Sequence, residues 1–151
     1  MKRFIFIICL SFLGIYSYAQ TPVEDLIDKY REYQGASCLS LSGLELLMAR
    51  PAILASPLAS VASDVQKLMI LHMDSTSYEV RNSFETNLYG SLGVYKQFGQ
   101  YNSKNGVVEI YAKFSDADMV SELVIFNHNL WILNDIQGDF NVKSLEKIGN
   151  K

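Results

Sequence analysis

The run Gly106–Phe114, "GVVEIYAKF", alternates in a way that only an extended chain can use. Val108, Ile110, Ala112 and Phe114 fall on one side, and Glu109, Tyr111 and Lys113 on the other, because successive strand side chains point to opposite faces. Such a strand must pair. Residues 93–101 supply a second run, joined to the first through "NSKNG", in which Asn105-Gly106 is a strong hairpin signal. Residues 120–126 and 130–136 form another pair around Asn127-His128-Asn129. Asparagine tolerates left-handed backbone angles and hydrogen-bonds locally, so the tripeptide reads as a three-residue hairpin loop, not a ligand-contacting one. Trp131, beside it, reads as core or half-buried sheet.

The first half of the chain has a different period. Three segments carry a Ser/Thr followed three residues later by Glu, the pattern in which hydroxyl and carboxylate satisfy each other's backbone donors. They are Thr21-Pro22-Val23-Glu24, Ser42-Gly43-Leu44-Glu45 and Thr76-Ser77-Tyr78-Glu79. The first opens a helix carrying Val23, Leu26, Ile27 and Tyr30 at helical spacing, expected to end near Gln34-Gly35. The second opens a short helix through Leu47 and Met48 that Pro51 stops or redirects. The third carries the stripe Val80, Phe84, Leu88. Residues 37–41 and 67–73 are strand-like, the latter apolar enough for cover on both faces. Residues 51–63 read as a loop or broken helix, and Asn141 as the cap of a last short helix. Helices early and hairpins late predict an α+β domain: a single mixed, mostly antiparallel sheet of about five to six strands, with helices on one face.

The start, "MKRFIFIICLSFLGIYSYAQ", has two basic residues, an apolar run of about a dozen and small residues at Ser17 and Ala19. This is the pattern of a signal peptide over residues 1–19, cleaved between Ala19 and Gln20, leaving residues 20–151 as one α+β domain. The run is too short for a span of about 20 residues. Cys9 lies within it behind Ile8, where lipid attachment would want a small residue. Expected localisation is therefore export, to the periplasm or beyond.

Cleavage would remove Lys2 and Arg3, changing 13 basic against 16 acidic residues into 13 − 2 = 11 against 16, a net charge of −5 instead of −3. An acidic chain without a basic cluster is a poor nucleic-acid ligand. Of the chain's 2 cysteines only Cys38 would survive, so no internal disulfide is available to an exported form. Burial as a small apolar residue is the expected role of Cys38.

Each reactive constellation has a plain structural alternative. Cys38, His72 and Asp74 contain the elements of a thiol enzyme, but a mid-strand cysteine lacks the cation or helix N-terminus that makes a thiolate. After the leader, two histidines and one cysteine, widely spaced, do not form a metal motif, and the carboxylates of "EDLIDKYRE" read as a solvated helix face. No catalytic residue, metal or cofactor is assigned. The tyrosines of the central hairpin, Tyr95, Tyr101 and Tyr111, are the binding candidates: aromatic side chains on a sheet surface can hold a macromolecule, or pair across strands to stiffen it.

The segments "DKYREYQGASCLSLSGLELLM" and "LVIFNHNLWILNDIQGDFNVKSLEKI", with Tyr30, Gly35, Ser40, Ser42 and Gly138 at their places, resemble a family of small exported proteins of Gram-negative bacteria, domain-of-unknown-function family 4252. The resemblance covers nearly all of the chain after the leader. It implies export and a compact α+β domain, and it carries no catalytic residue. The expected function is a non-enzymatic envelope or secreted domain that binds a protein or other macromolecule through its sheet; the alternatives are a small thiol-dependent or hydrolytic enzyme and a small-ligand carrier.

Mass spectrometry of the protein recovered from the cell envelope or medium should give a chain starting at Gln20. A start at Cys9, or an intact Met1, contradicts the leader reading.

Overall fold

A computed structural model describes residues 20–148. The expected leader, residues 1–19, lies outside the described residues. Within them the order is α1 (Pro22–Tyr30), β1 (Ser37–Ser42), α2 (Gly43–Leu54), β2 (Val65–His72), α3 (Tyr78–Ser91), β3 (Lys96–Ser103), β4 (Gly106–Phe114), β5 (Met119–Asn127), β6 (Ile132–Asn141) and α4 (Val142–Leu145), with 3₁₀ turns at Ala59–Asp64 and Leu92–Val94. The α+β class and the element order agree with the sequence reading.

The strands form one six-stranded sheet, β1-β2-β6-β5-β4-β3. Every neighbouring pair is antiparallel, so the sheet is not mixed. The reason lies in the connection after β1: α2 and the following 3₁₀ turn bring β2 back beside β1 in reverse, a long hairpin instead of a crossover.

The expectation of helices on one face is corrected too. Met69, Leu71, Val124, Phe126 and Leu133 point to one side of the sheet and pack with Leu26, Ile27 and Tyr30 of α1 and Phe84 and Leu88 of α3. Leu68, Leu123, Ile136 and Phe140 point to the other and pack with Leu46 and Ile53 of α2, Val61 and Ala62 of the 3₁₀ turn and Leu145 of α4. The inner strands β2, β5 and β6 are apolar in both parities, so both faces need cover. α1 and α3 lie on the first face; α2 and α4 lie on the second.

The helix caps follow the sequence pattern in part. Thr21 makes the full capping box with Glu24, and Asn141 caps α4 by accepting from the Lys143 N–H. Ser77, not Thr76, caps α3 by accepting from the Val80 N–H; Thr76 is buried and donates to the Met73 carbonyl at 2.6 Å. α2 continues through Pro51 to Leu54. Proline removes one donor there, but position 51 faces solvent, where water can satisfy the freed carbonyl one turn back.

α1 ends at Tyr30, earlier than expected, and the chain turns through Gly35 at φ +88°. A Cβ at this glycine would collide with the Ser75 carbonyl oxygen, in the turn before α3. Gly35 is thus needed twice, for its backbone angle and for its closeness to that turn. Gly35→Ala should destabilise by about 2 kcal/mol or more, roughly 6–10 °C in Tm, as calorimetry would record; an unchanged Tm would mean that the two turns separate at no cost.

Candidate functional site

The three hairpin tyrosines do not form a row. Tyr95 precedes β3, is 7% exposed, and points into the first-face core. Tyr111, on β4, is half-buried on that same face. Tyr101 pairs with Val108, which shares its parity with Ala112 on the second face, and it is 48% exposed. The bulge between Gln97 and Gly99 shifts the phase of β3 and separates the tyrosine positions. Each tyrosine belongs to a different site.

Tyr95 donates to Glu122 Oε2 at 2.8 Å, and the Thr21 hydroxyl donates to Glu122 Oε1 at 2.9 Å. Next to them Lys67 Nζ and Gln137 Nε2 donate to Glu24 Oε1 at 2.5 and 2.6 Å, and Gln137 also reaches Asp135 Oδ2 at 3.1 Å. Glu24, Glu122 and Asp135 are 5%, 1% and 0% exposed. The solvated-face reading of Glu24 is corrected: α1 turns this carboxylate down onto the sheet. Burial works to raise its pKa, but hydrogen bonds from Lys67 and Gln137 and the Lys67 charge outweigh it and hold the carboxyl below its ordinary value. Asp135 moves the other way. Burial first, then the neighbouring Glu122, push it up to about 9, and its Oδ1 is buried without a donor. A proton between Asp135 and Glu122 relieves the repulsion of two buried carboxylates. The same proximity pushes the Tyr95 hydroxyl well above its usual range, burial first and Glu122 second.

The network floors a cleft of about 540 Å³ lined by Thr21, Glu24, Lys67, Lys113, Glu122 and Gln137. Asp135 is not part of that lining and lies fully buried beneath it. Sequence reading missed Glu122 and Asp135, although a signal was present. Glu122 is in phase with the inward-facing Val124 and Phe126, and Asp135 with Leu133.

A second polar cluster fastens α3 to β4. Tyr89 and Tyr111 donate to Glu109 Oε2 at 3.0 and 2.9 Å. His128 places Nε2 3.3 Å from the same oxygen and Nδ1 3.4 Å from Glu85. Burial, then Glu109, raises the Tyr111 hydroxyl to about 12. The surrounding loop is a turn, as expected, but runs over residues 128–131 because Asn127 pairs with Ile132. Asn127 Oδ1 accepts from the N–H groups of Asn129 and Leu130. The left-handed residue is Trp131, at φ +52°, not an asparagine. Its carbonyl accepts from Met73 N–H, its ring packs on Phe126, and Arg81 lies over it. Tertiary contacts offset the backbone cost of that conformation.

Cys38 pairs with Leu71 and His72 with Ser37, so thiol and imidazole leave the sheet on opposite faces. Burial, the largest influence, raises the Cys38 thiol; nearby Arg31 lowers it and Asp28 raises it. Among the described residues no three His, Cys, Asp or Glu side chains are arranged to hold a metal ion, and no helix is long and apolar enough to cross a membrane.

Tyr101 has a third setting. It lines a groove of about 610 Å³ on the second face with Phe98, Ile110, Ile125, Leu145 and Ile148. A neighbouring hollow of about 780 Å³ shares Tyr101 and Ile148 and continues along Pro57, Ser60 and Lys147. Among the described residues the helical cover of the second face ends at Leu145 of α4, at the rim of this groove.

No family model, curated protein or solved structure matches the chain.

Asp135 holds its proton in the folded state up to about pH 9 but loses it near pH 4 once unfolded. The folded protein therefore binds the extra proton between those values, and its stability falls as pH rises through that window. Stability, read as a falling Tm, should drop between about pH 6 and pH 9 by up to about 1.4 kcal/mol per pH unit. Asp135→Asn, which donates to Glu122 at any pH, should flatten the slope. Equal slopes for the two proteins would remove the shared proton.

Proposed function

We propose that the protein is an exported, non-enzymatic binding domain of the family it resembles, and that it holds an extended apolar segment of another envelope protein in the Tyr101 groove. The observation that carries this reading is the exposed part of the second face over β3 and β4: among the described residues Phe98, Ile110 and Ile125 are only partly buried, with α4 reaching the groove through Leu145 alone. The groove runs beside the edge strand β3, so a bound segment can add main-chain hydrogen bonds to side-chain contacts. Tyr101 contributes a large, rigid contact with a polar tip.

The full burial of Asp135 beneath the cleft and the opposite faces of Cys38 and His72 favour binding over the enzyme reading, since a general acid must reach its substrate. The small-ligand carrier needs an enclosed apolar pocket beneath α3. There Phe84 and Leu88 are fully buried, and the Phe84 ring meets Phe126 at 5.8 Å.

Selection of phage-displayed random peptides on the purified protein should enrich sequences with apolar residues at alternate positions. Tyr101→Ser should weaken the enriched peptides at least about tenfold, the effect of an interface anchor, with Tm unchanged. No enrichment over an empty surface, or equal binding to Tyr101→Ser, argues against the groove.

A further inference from the structure

The two edges of the sheet are treated differently. At one end the first half of β3 carries Lys96 and a bulge between Gln97 and Gly99, devices that discourage strand addition there and leave only Gly99–Ser103, beside the Tyr101 groove, regular. At the other end β1, "SCLSLS", has neither charge nor proline, and its pairing with β2 is regular over all six residues. Among the described residues nothing pairs with its outer side. Leu39, opposite Ile70 on the second face, is 50% exposed.

The helix that follows repeats this exposure. α2 buries Leu46 and Ile53, yet Leu44, Leu47, Met48 and Leu54 are 71%, 57%, 76% and 56% exposed. With Pro51 they form a second apolar stripe at helical spacing. α2 packs on β1 and β2, so the stripe and Leu39 share one face at one end of the sheet. A contiguous exposed apolar patch of this kind marks an interaction surface.

We infer that β1 and α2 form the interface of a homodimer, in which β1 of one copy pairs antiparallel with β1 of a second. The edge is self-complementary. A twofold axis at Ser40 sets Leu39 against Leu41 of the other copy and returns Ser40 to itself. This axis stands perpendicular to the sheet, so both α2 helices lie on the same face beside the joined strands, as an isologous contact requires. The exposed parts of Leu39, Leu44, Leu47, Met48 and Leu54 come to roughly 600 Å² per copy, close to the about 800 Å² per partner of a stable interface, and the paired strands add the remainder. Charge fits as well: two acidic chains repel, but residues 35–44 are uncharged, so the copies meet where like charges do not. The joined sheet would have twelve strands with β3 at each end, leaving both Tyr101 grooves open.

Sedimentation equilibrium of the purified protein should give a dimer at micromolar concentration. Met48→Glu, a substitution of an exposed residue, should raise the dissociation constant by at least about 30-fold, with Tm unchanged when both proteins are diluted to monomer. Register is tested by disulfide trapping in a Cys38→Ser background. Ser40→Cys should oxidise to a covalent dimer because opposed residues come within disulfide reach, whereas Ser37→Cys, away from the axis, should not. A monomer at all concentrations that yields no Ser40→Cys cross-link overturns the inference. So does equal trapping at Ser37 and Ser40, or a monomer that co-sediments with phosphatidylglycerol vesicles, which would assign the stripe to lipid.

Discussion

Strands β2, β6 and β5 carry apolar side chains on both faces, and water has to be kept from both at once. This requirement arranges the rest of the chain. α1 and α3 cover the first face over Met69, Leu71, Val124 and Phe126, while α2, the 3₁₀ turn and α4 cover the second over Leu68, Leu123, Ile136 and Phe140. The helices are spent on the middle of the sheet, where burial of apolar area stabilises most. At its ends the cover among the described residues thins, and exposed apolar surface appears: the Tyr101 groove beside β3, and Leu39 with the α2 stripe beside β1.

The buried polar groups follow from the same packing. α1 lies across the first face with its N-terminus over β5 and β6, which brings Thr21 and Glu24 against Glu122, Gln137 and Lys67. A carboxylate in such a place is tolerated only when its oxygens are satisfied. Glu24 is satisfied by Lys67 and Gln137, and Glu122 by Tyr95 and Thr21. Asp135 is accommodated by keeping its proton. The network ties the first helix to the central strands through groups far apart in sequence, and it makes the attachment sensitive to pH. The Glu109–His128 cluster plays the matching part for α3, linking Glu85 and Tyr89 to β4.

Sequence patterns were most informative where one residue's environment depended on its neighbours in the chain. The alternation of Gly106–Phe114, the Thr21 capping box and the Asn141 cap reappear in the structure because backbone geometry and hydrogen bonding over three or four residues decide them. Errors clustered where distant residues intervene. Thr76 lost the capping role to Ser77 because its hydroxyl turns back to Met73. Pro51 sits inside α2 because that turn is exposed. Tyr95 looked like a surface aromatic and is core, since the 3₁₀ turn before β3 swings it under Glu122. Glu122 and Asp135 could have been noticed as acids in phase with buried residues, but the groups around Glu122, Thr21 before α1 and Tyr95 before β3, lie far off in sequence and cannot be seen from β5 or β6 alone.

By itself the sequence determined the α+β class, the order of helices and strands and the site of most turns, because those depend on local periodicity and on short-range caps. The tertiary structure alone decided that helices lie on both faces, that every strand pairing is antiparallel, and that three tyrosines of one hairpin reach three different environments. Those outcomes depend on which surfaces remain uncovered after packing, and solvent exclusion is a property of the assembled layers, not of any segment.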